Sequence, residues 1–193
     1  MARRNAEHIT LMTDSIQQQL RNLLMEVSVK RGNFTLASGK TSNIYVDVRQ
    51  TSLHAQGSAW IAQCILAQLD PLAQGIGGPT LGADPVVSSV VALSTHFGRP
   101  VHGFLIRKES KGHGTQRFLE GRGNLPDGSR VAIVEDTTTT GGSLLQAIER
   151  AENEGLTVIQ CMTVVDRQQG AVERLAEHGF TLQPLFTLAD LSV

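Results

Sequence analysis

The chain has few cysteines, no surplus of charge of either sign and no long apolar run, and each of these absences excludes a class of protein. Its 193 residues include two cysteines, Cys64 and Cys161, whose separation suits neither a metal knuckle nor a redox pair. We therefore expect both thiols to be structural. The net charge of −1 argues against a surface that coats nucleic acid.

Hydrophobic runs are short throughout the sequence. None approaches the length of a membrane-spanning helix, and polar residues follow Arg3 and Arg4 where a signal peptide would carry an apolar region. These patterns predict a cytoplasmic protein without a membrane partner. A Walker-type Gly-Lys-Ser/Thr turn and a dinucleotide-binding G-x-G-x-x-G motif are both missing, which weakens ATPase and dehydrogenase hypotheses.

The length of the chain and its 40% hydrophobic content suit one domain with a substantial core. After about residue 50, strand patterns alternate with helix patterns, and this order predicts a mostly parallel sheet with helices on its faces. We predict strands at 75–77, 101–106, 131–134, 158–165 and 180–188. Helices are predicted at 55–69, 81–97 and 171–178, with another running from Gly142 towards a left-handed stop at Gly155.

The first 50 residues follow a different pattern. A helix is predicted from about Asp14, after a tail at 1–11 that we expect to be loose. Short strands at 33–37 and 43–48 about the turn 38–40 predict a hairpin outside the main alternation. Residues 12–50 are therefore expected to form a small unit beside the sheet, which we call the hood.

The most informative segment is residues 131–143, VAIVEDTTTTGGS, an apolar strand followed by two carboxylates, a hydroxyl-rich turn and a helix start. Unpaired N–H groups and the helix dipole favour an anion such as phosphate at that start, where two glycines let the backbone approach closely. Glu135 and Asp136 would instead accept hydrogen bonds from sugar hydroxyls or approach a metal. The alternative interpretation is a well-capped helix after an acidic turn.

A second polar segment, residues 107–121, has cations clustered between glycines. Four basic residues stand against Glu109 in its first part: Arg107, Lys108, Lys111 and Arg117. His113 lies between glycines in a polar stretch where no core could hold it, so we expect it to contact a ligand. A solvated surface loop is the alternative interpretation of this charge run.

Polar clusters directly follow four predicted strands, at 77–84, 107–120, 135–143 and 166–167. In open α/β sheets ligands bind outside the carboxyl ends of the strands, so we expect these clusters to converge on one crevice. A glycine-hinged cationic loop beside a phosphate-binding turn can close over a polyanion and stabilise charge that develops on a leaving group.

These segments resemble, in the same order, the orotate phosphoribosyltransferases of pyrimidine nucleotide synthesis, which belong to the type I phosphoribosyltransferases. Residues 131–143 resemble the phosphoribosyl-pyrophosphate signature of the wider superfamily. The run 107–114, RKESKGHG, is more specific, being similar to the catalytic loop of the orotate enzymes. Residues 38–47, 77–85 and 165–167 also resemble that family. The resemblance implies an α/β fold, with a central, mostly parallel sheet flanked by helices and a small N-terminal hood containing the hairpin, in a single domain over residues 1–193.

The activity that the resemblance implies is the reversible, magnesium-dependent transfer of ribose 5-phosphate from phosphoribosyl pyrophosphate to orotate. The products would be orotidine 5′-monophosphate and pyrophosphate. Mg²⁺ is expected mainly on substrate oxygens, without a dedicated protein site. A homodimer is also implied, in which the cationic loop reaches the neighbouring subunit's site. No nucleic-acid partner is expected.

Residue roles follow from the same resemblance. Catalysis and pyrophosphate binding are assigned to Arg107, Lys108, Lys111 and His113. The ribose hydroxyls are assigned to Glu135 and Asp136, and the 5′-phosphate to Thr137, Thr138, Thr139, Thr140, Gly141, Gly142 and Ser143. Thr139 and Arg167 match orotate-contacting positions, and a guanidinium suits the carboxylate of that base. Tyr45 is expected either beside the base or packed within the hairpin.

The chain departs from the family pattern at two places. Ala37 stands where some members carry a lysine, and Thr137 and Thr138 stand where bulkier aliphatic residues are common. Two other functions remain open. A transferase for a purine or uracil is opposed by Arg167 and the cationic loop. A non-catalytic regulator that senses phosphoribosyl pyrophosphate is opposed by the intact loop and the near-neutral charge, and it would bind nucleic acid in a salt-dependent way.

Overall fold

A six-stranded sheet forms the centre of the computed structural model, which describes residues 15–35, 41–109 and 118–191. The helices are α1 (15–23), α2 (Arg49–Ser52), α3 (Ala55–Gln68), α4 (Asp84–Ser94), α5 (Gly142–Asn153) and α6 (Ala171–Glu177). The strands are β1 (Val29–Thr35), β2 (Thr41–Val46), β3 (Gly75–Pro79), β4 (His102–Ile106), β5 (Leu119–Glu120), β6 (Arg130–Thr138), β7 (Thr157–Asp166) and β8 (Leu182–Thr187). A π-helical turn, Leu24–Ser28, continues α1, and 3₁₀ turns lie at Arg122–Asn124 and Ala189–Leu191.

The strand order is β5-β4-β3-β6-β7-β8, and every neighbouring pair is parallel except β4 with the short edge strand β5. The chain runs from β3 to β4 on one side and later returns through β6 on the other side of β3. This reversal makes the boundary between β3 and β6 a topological switch point. A crevice is expected there at the carboxyl ends of the strands.

The burial of β6 explains its central position. Ala132 and Val134 pack into the core on one face of the sheet, whereas Val131 and Ile133 pack into the core on the other face. All four side chains are fully buried. A continuous apolar run is the pattern of a parallel strand covered on both faces.

Helices cover the two faces separately. Leu20 of α1 and Val90 of α4 belong to one core, and Leu144 and Ile148 of α5 belong to the other. The helices that follow β3 and β6 therefore lie on opposite faces, and their N-terminal ends flank the switch point from both sides.

The hood packs beside the sheet as an antiparallel hairpin of β1 and β2. The rings of Phe34 and Tyr45 lie with centroids 5.6 Å apart, across the two strands. The Asp47 N–H donates to the Ser28 carbonyl at 2.9 Å, and the Ser28 and Thr51 hydroxyls are hydrogen bonded at 2.6 Å. These contacts hold the end of the hairpin against the start of α2.

The predicted α/β fold with a separate hairpin is confirmed, but several predicted bounds are wrong. The strand predicted at 131–134 continues to Thr138, because Glu135 pairs with Thr163 and Thr138 with Asp166 of β7. Both carboxylates therefore lie on a strand. The helix predicted at 81–97 begins at Asp84, with Pro85 in its first turn, and ends at Ser94. The sequence patterns missed α2 and β5.

Helix α5 begins and ends as predicted. Gly141 precedes it with φ +75°, and Gly155 follows it with φ +81°, both in the left-handed region that favours glycine.

Cys64 and Cys161 are buried free thiols, as expected, and burial raises their pKa values to about 11 and about 12. Within the described ranges, no helix combines the length and the apolar character needed to cross a membrane. The predicted tail at 1–11, the hairpin turn 38–40, Lys111 and His113 lie outside the described residues.

Candidate active site

A cavity of about 420 Å³ lies at the switch point between the carboxyl ends of β3, β4 and β6. Its walls are formed by the hood, by the end of β3 and the residues that follow it (79–82), by the end of β4 and by the end of β6. The hood contributes Tyr45, Val46, Asp47 and Arg49, and α5 contributes Ser143, Gln146, Ala147 and Arg150.

Three of the four predicted clusters line this cavity, through residues 79–82, Lys108 and residues 135–137. The fourth cluster lies beside it, because Asp166 pairs with Thr138 across β7 and β6. The Arg167 N–H donates to the Thr138 carbonyl at 2.9 Å. Arg167 does not line the cavity itself, but it directly follows β7, the strand that pairs with β6.

Glu135 is the most perturbed acid in the cavity wall. Glu135 is 9% exposed, and one of its carboxylate oxygens accepts a hydrogen bond from the Thr138 hydroxyl at 3.2 Å. Burial, assisted by the neighbouring charge of Asp136, raises the pKa of Glu135 to about 7. Hydrogen bonds from Thr138 and Ser143 and the charge of Lys108 act in the opposite direction. A buried carboxylate in this position favours any ligand that brings hydrogen-bond donors.

Asp136 is less deeply buried than Glu135, and Gly82 lies directly against it. Burial raises the pKa of Asp136, opposed by a hydrogen bond from the Thr137 N–H and by the guanidinium of Arg49. A Cβ added to Gly82 would lie 2.3 Å from the Asp136 Oδ1 atom. The backbone after β3 therefore packs directly on this carboxylate, in a way that only glycine permits.

The turn after β6 has the geometry of an anion site. Gly141 is the residue before α5, and no described side chain caps the helix there. The first N–H groups of α5 consequently lack an acceptor within the helix, as at any unoccupied helix start. A Cβ at Gly141 would meet the Leu175 side chain at 2.8 Å, so glycine is required for space as well as for its φ angle.

The hydroxyl groups of this turn differ in exposure. Thr138 is fully buried, and its hydroxyl serves the Glu135 carboxylate. Thr140 and Ser143 are exposed, while Thr137 and Thr139 are half-buried. The Ser143 hydroxyl, like that of Thr138, is engaged by the Glu135 carboxylate, whereas the Thr140 side chain faces solvent.

The described part of the cationic segment lies along the cavity rim. Lys108 is exposed and lines the cavity. The Arg107 guanidinium instead forms an ion pair with Glu120 at 3.1 Å, which links the two ends of the segment. A positive charge next to the carboxylate pair and the anion site suits a ligand with several phosphates.

The comparisons with known proteins agree with this geometry. Residues 86–187 match the family model of the phosphoribosyl transferase domain. The chain is 39% identical over 182 residues to the orotate phosphoribosyltransferase of Nostoc sp., covering 94% of this chain and 88% of the relative. It is 42% identical over 178 residues to that of Corynebacterium glutamicum, covering 91% and 93%. The chain belongs to the orotate phosphoribosyltransferase family.

Solved structures of this family have the same architecture. A crystal structure of the Mycobacterium tuberculosis orotate phosphoribosyltransferase in complex with Fe(III) dicitrate matches with a TM-score of 0.81 and 38% identity, over 92% of this chain and 99% of that one. The same enzyme in complex with 5-phospho-α-D-ribosyl 1-diphosphate matches with a TM-score of 0.76 and 36% identity, over 92% and 99%. The type I phosphoribosyltransferase fold implied by the sequence is thereby confirmed.

Sequence reasoning assigned no role to Asp47 or Arg49, which bring the hood into the orotate phosphoribosyltransferase cavity. The Arg49 Nε atom lies 2.8 Å from the Asp47 Oδ1 atom, and the hydrogen bond from this guanidinium holds the pKa of Asp47 below its usual value. Both residues follow β2 directly, where the hairpin pattern gives no sign of contact with the sheet.

Arg150 was also missed, although the sequence contained a signal for it. Ser143, Gln146 and Arg150 follow one another at intervals of three and four residues, which places them on the same face of a helix. Since Ser143 follows the glycine turn after β6, that face leads from the turn along the cavity wall.

Proposed function

We propose that this protein transfers ribose 5-phosphate from phosphoribosyl pyrophosphate to orotate, giving orotidine 5′-monophosphate and pyrophosphate in pyrimidine nucleotide synthesis. The observation that carries the proposal is a cavity where a carboxylate pair, an uncapped helix start and a lysine meet. The relatives named orotate phosphoribosyltransferase, about 40% identical over nine-tenths of the chain, support the same activity.

The charges around the cavity match the course of this reaction. Departure of pyrophosphate leaves a cationic, oxocarbenium-like ribosyl centre, while negative charge grows on the leaving group. Lys108 can meet the charge on the pyrophosphate, and the first N–H groups of α5 can hold the 5′-phosphate. Glu135 and Asp136 are acceptors for the ribose hydroxyls, and such bonds relieve the desolvation of both carboxylates.

Arg167 is the residue we assign to the carboxylate of the base. Its Nε–H is buried and has no hydrogen-bond partner within residues 15–35, 41–109 and 118–191. A buried unpaired donor is costly, and an acidic ligand would satisfy it. Thr139 lies on the neighbouring turn and is half-buried. Tyr45 lines the cavity and also packs on Phe34, so it serves the hairpin as well as the wall of the base site.

The donor set of the cavity fits Mg²⁺ shared with substrate. No cluster of three or more histidine, cysteine or acidic side chains suited to a metal occurs in the described part of the chain. Asp47, Glu135 and Asp136 nevertheless line one cavity with carboxylate oxygens, the ligand type that Mg²⁺ prefers, and this ion commonly keeps its waters and binds substrate phosphates. When bound, Mg²⁺ neutralises part of the pyrophosphate charge, and Glu135 and Asp136 would face it beside the ribose.

We further propose a cytoplasmic homodimer in which the segment after β4 serves the neighbouring site, as the family resemblance implies. Mixing Lys111→Ala subunits with Glu135→Gln subunits tests this arrangement, because Lys108 itself lines the cavity of its own chain. If Lys111 acts in the partner's cavity, mixed dimers regain activity, because one of their two sites combines an intact lysine with an intact glutamate. Mixtures that stay as inactive as either variant alone would exclude shared sites.

The deciding assay follows the absorbance of orotate in the presence of phosphoribosyl pyrophosphate and Mg²⁺, with uracil, hypoxanthine and adenine in parallel. We expect turnover with orotate and little with the other bases. Turnover of a different base without orotate turnover would refute the proposal. A regulator would instead show no turnover and a salt-dependent affinity for DNA.

A further inference from the structure

Arg150 of α5 contacts both ends of the cationic segment, the residues directly after β4 and the residue directly before β5. Its Nη1 donates to the Arg107 carbonyl at 2.7 Å, and its Nη2 donates to the Lys108 carbonyl at 3.0 Å. At the other end, directly before β5, the centroid of the Phe118 ring lies 4.4 Å from the Arg150 guanidinium carbon. One side chain thus holds the backbone immediately after β4 and packs on the residue that leads into β5.

Glu154, the residue directly after α5, adds to this arrangement. One of its carboxylate oxygens accepts hydrogen bonds from the N–H groups of Phe118 and Leu119, at 2.9 and 3.2 Å. The Arg107 N–H donates to the Phe118 carbonyl at 2.9 Å, which joins the two ends to each other. The C-terminal end of α5 and the residue after it therefore support both the start and the end of the cationic segment.

This support connects two parts of the cavity that are distant in sequence. Arg150 is 42 residues from Lys108, and both residues line the cavity. At its other end, α5 begins with the uncapped turn that we assign to the 5′-phosphate. Helix α5 thus carries the proposed phosphate site at one end and holds the backbone of Lys108 at the other. It therefore sets the distance between these two parts of the cavity.

We propose that Arg150 is a positioning residue, which acts on the reaction by fixing the backbone of Lys108 relative to the phosphate-binding turn of α5. A planar guanidinium can donate to two carbonyls and pack on an aromatic ring at the same time. The ammonium group of lysine cannot make this combination of contacts. The inference rests on the proposed transferase activity, and its effect passes through Lys108.

A double-mutant cycle of Arg150→Lys and Lys108→Ala tests this coupling. Arg150→Lys keeps the positive charge but loses the paired hydrogen bonds to the two carbonyls. We expect kcat to fall on the order of 10- to 100-fold, because a small misplacement of a catalytic group has an effect of this size, and KM to change less. In the Lys108→Ala background the same change should alter kcat by less than about twofold, because the group being positioned is gone. Arg130→Lys at the start of β6, an exposed arginine outside the cavity, should leave kcat unchanged.

Losses that multiply in the double variant would overturn the proposal, since they would mean that Arg150 acts on substrate or on the fold independently of Lys108. If Arg150→Lys does not fold, Phe118→Leu replaces it in the cycle, because the ring packs on the guanidinium, and the same criterion applies. A wild-type protein without orotate turnover would refute the proposed function itself, whereas independent losses in an active enzyme refute only the role of Arg150.

Discussion

The ionised carboxylate of Glu135 destabilises the folded protein, and its replacement by glutamine is expected to raise stability at and above neutral pH. The side chain is buried in the cavity wall, next to Asp136, and these surroundings favour its neutral form. Glutamine has the same shape and carries no charge. Its side-chain oxygen can still accept the hydrogen bond that the Thr138 hydroxyl donates.

The magnitude follows from the pKa of Glu135, which burial raises from 4.5 to about 7. An acid with a raised pKa binds its proton more tightly in the folded state, so the free energy of unfolding falls as the pH rises from the ordinary pKa to the raised one. The loss is complete above the raised pKa and amounts to about 3 kcal/mol. The wild type therefore carries this penalty at pH 8, and the variant does not.

The assay is thermal unfolding of Glu135→Gln and wild type between about pH 5 and pH 8. For a chain of this size, the expected gain at the alkaline end is roughly 6–12 °C in Tm, and it shrinks towards the acidic end as the wild-type carboxyl gains its proton. Glu149→Gln, an exposed glutamate on α5, serves as the matched control and should change Tm little at any pH. A Tm difference that is the same at both ends of the range would refute the reasoning.

The same substitution should damage activity. A hydrogen bond to a charged group contributes about 1.5–3 kcal/mol, so loss of the carboxylate facing the ribose should lower kcat/KM for phosphoribosyl pyrophosphate on the order of 10- to 100-fold. Greater stability with lower activity is the combination expected where a binding site keeps a desolvated charge. Full activity in the stabilised variant would show that Glu135 does not bind the ribose.

Three further predictions concern the cavity. Lys108→Ala should lower kcat on the order of 100-fold or more while the free energy of unfolding changes by less than about 0.5 kcal/mol, and equal losses of turnover and stability would contradict its role. Arg167→Gln should raise KM for orotate more than KM for phosphoribosyl pyrophosphate, and unchanged orotate kinetics would move the base site elsewhere. Gly82→Ala should displace the Asp136 carboxylate and weaken phosphoribosyl pyrophosphate binding. Gly123→Ala should have no effect, because Gly123 has open space around it. Equal behaviour of the two variants would refute the contact between Gly82 and Asp136.

Local patterns were sufficient where the physics is local. The run 131–134 predicted a strand buried on both faces because four consecutive apolar side chains must face both sides of a sheet. The start of α5 and its left-handed stop were predictable because glycine tolerates positive φ and apolar residues recur at helical spacing. The convergence of three clusters on the cavity followed from the common direction of parallel strands.

The errors arose where pairing between distant segments decided the outcome. Residues 135–138 carry two acids and two threonines, which suit a turn as well as a strand end. They continue β6 because β7 extends alongside and supplies partners up to Asp166. The short strand β5 was missed for a similar reason, since its two residues form a strand only by pairing with β4.

The sequence by itself determined the alternation of strands and helices, the glycine-rich start of α5 and the family. These depend on side-chain periodicity, on backbone preferences and on short ordered motifs, all of which are written in neighbouring residues. Only the tertiary structure decided that Asp47 and Arg49 of the hood line the cavity, that Arg150 holds carbonyls 42 and 43 residues away, and that Glu135 has a pKa near 7. Desolvation and contacts between distant residues depend on how the whole chain packs, which no local pattern specifies.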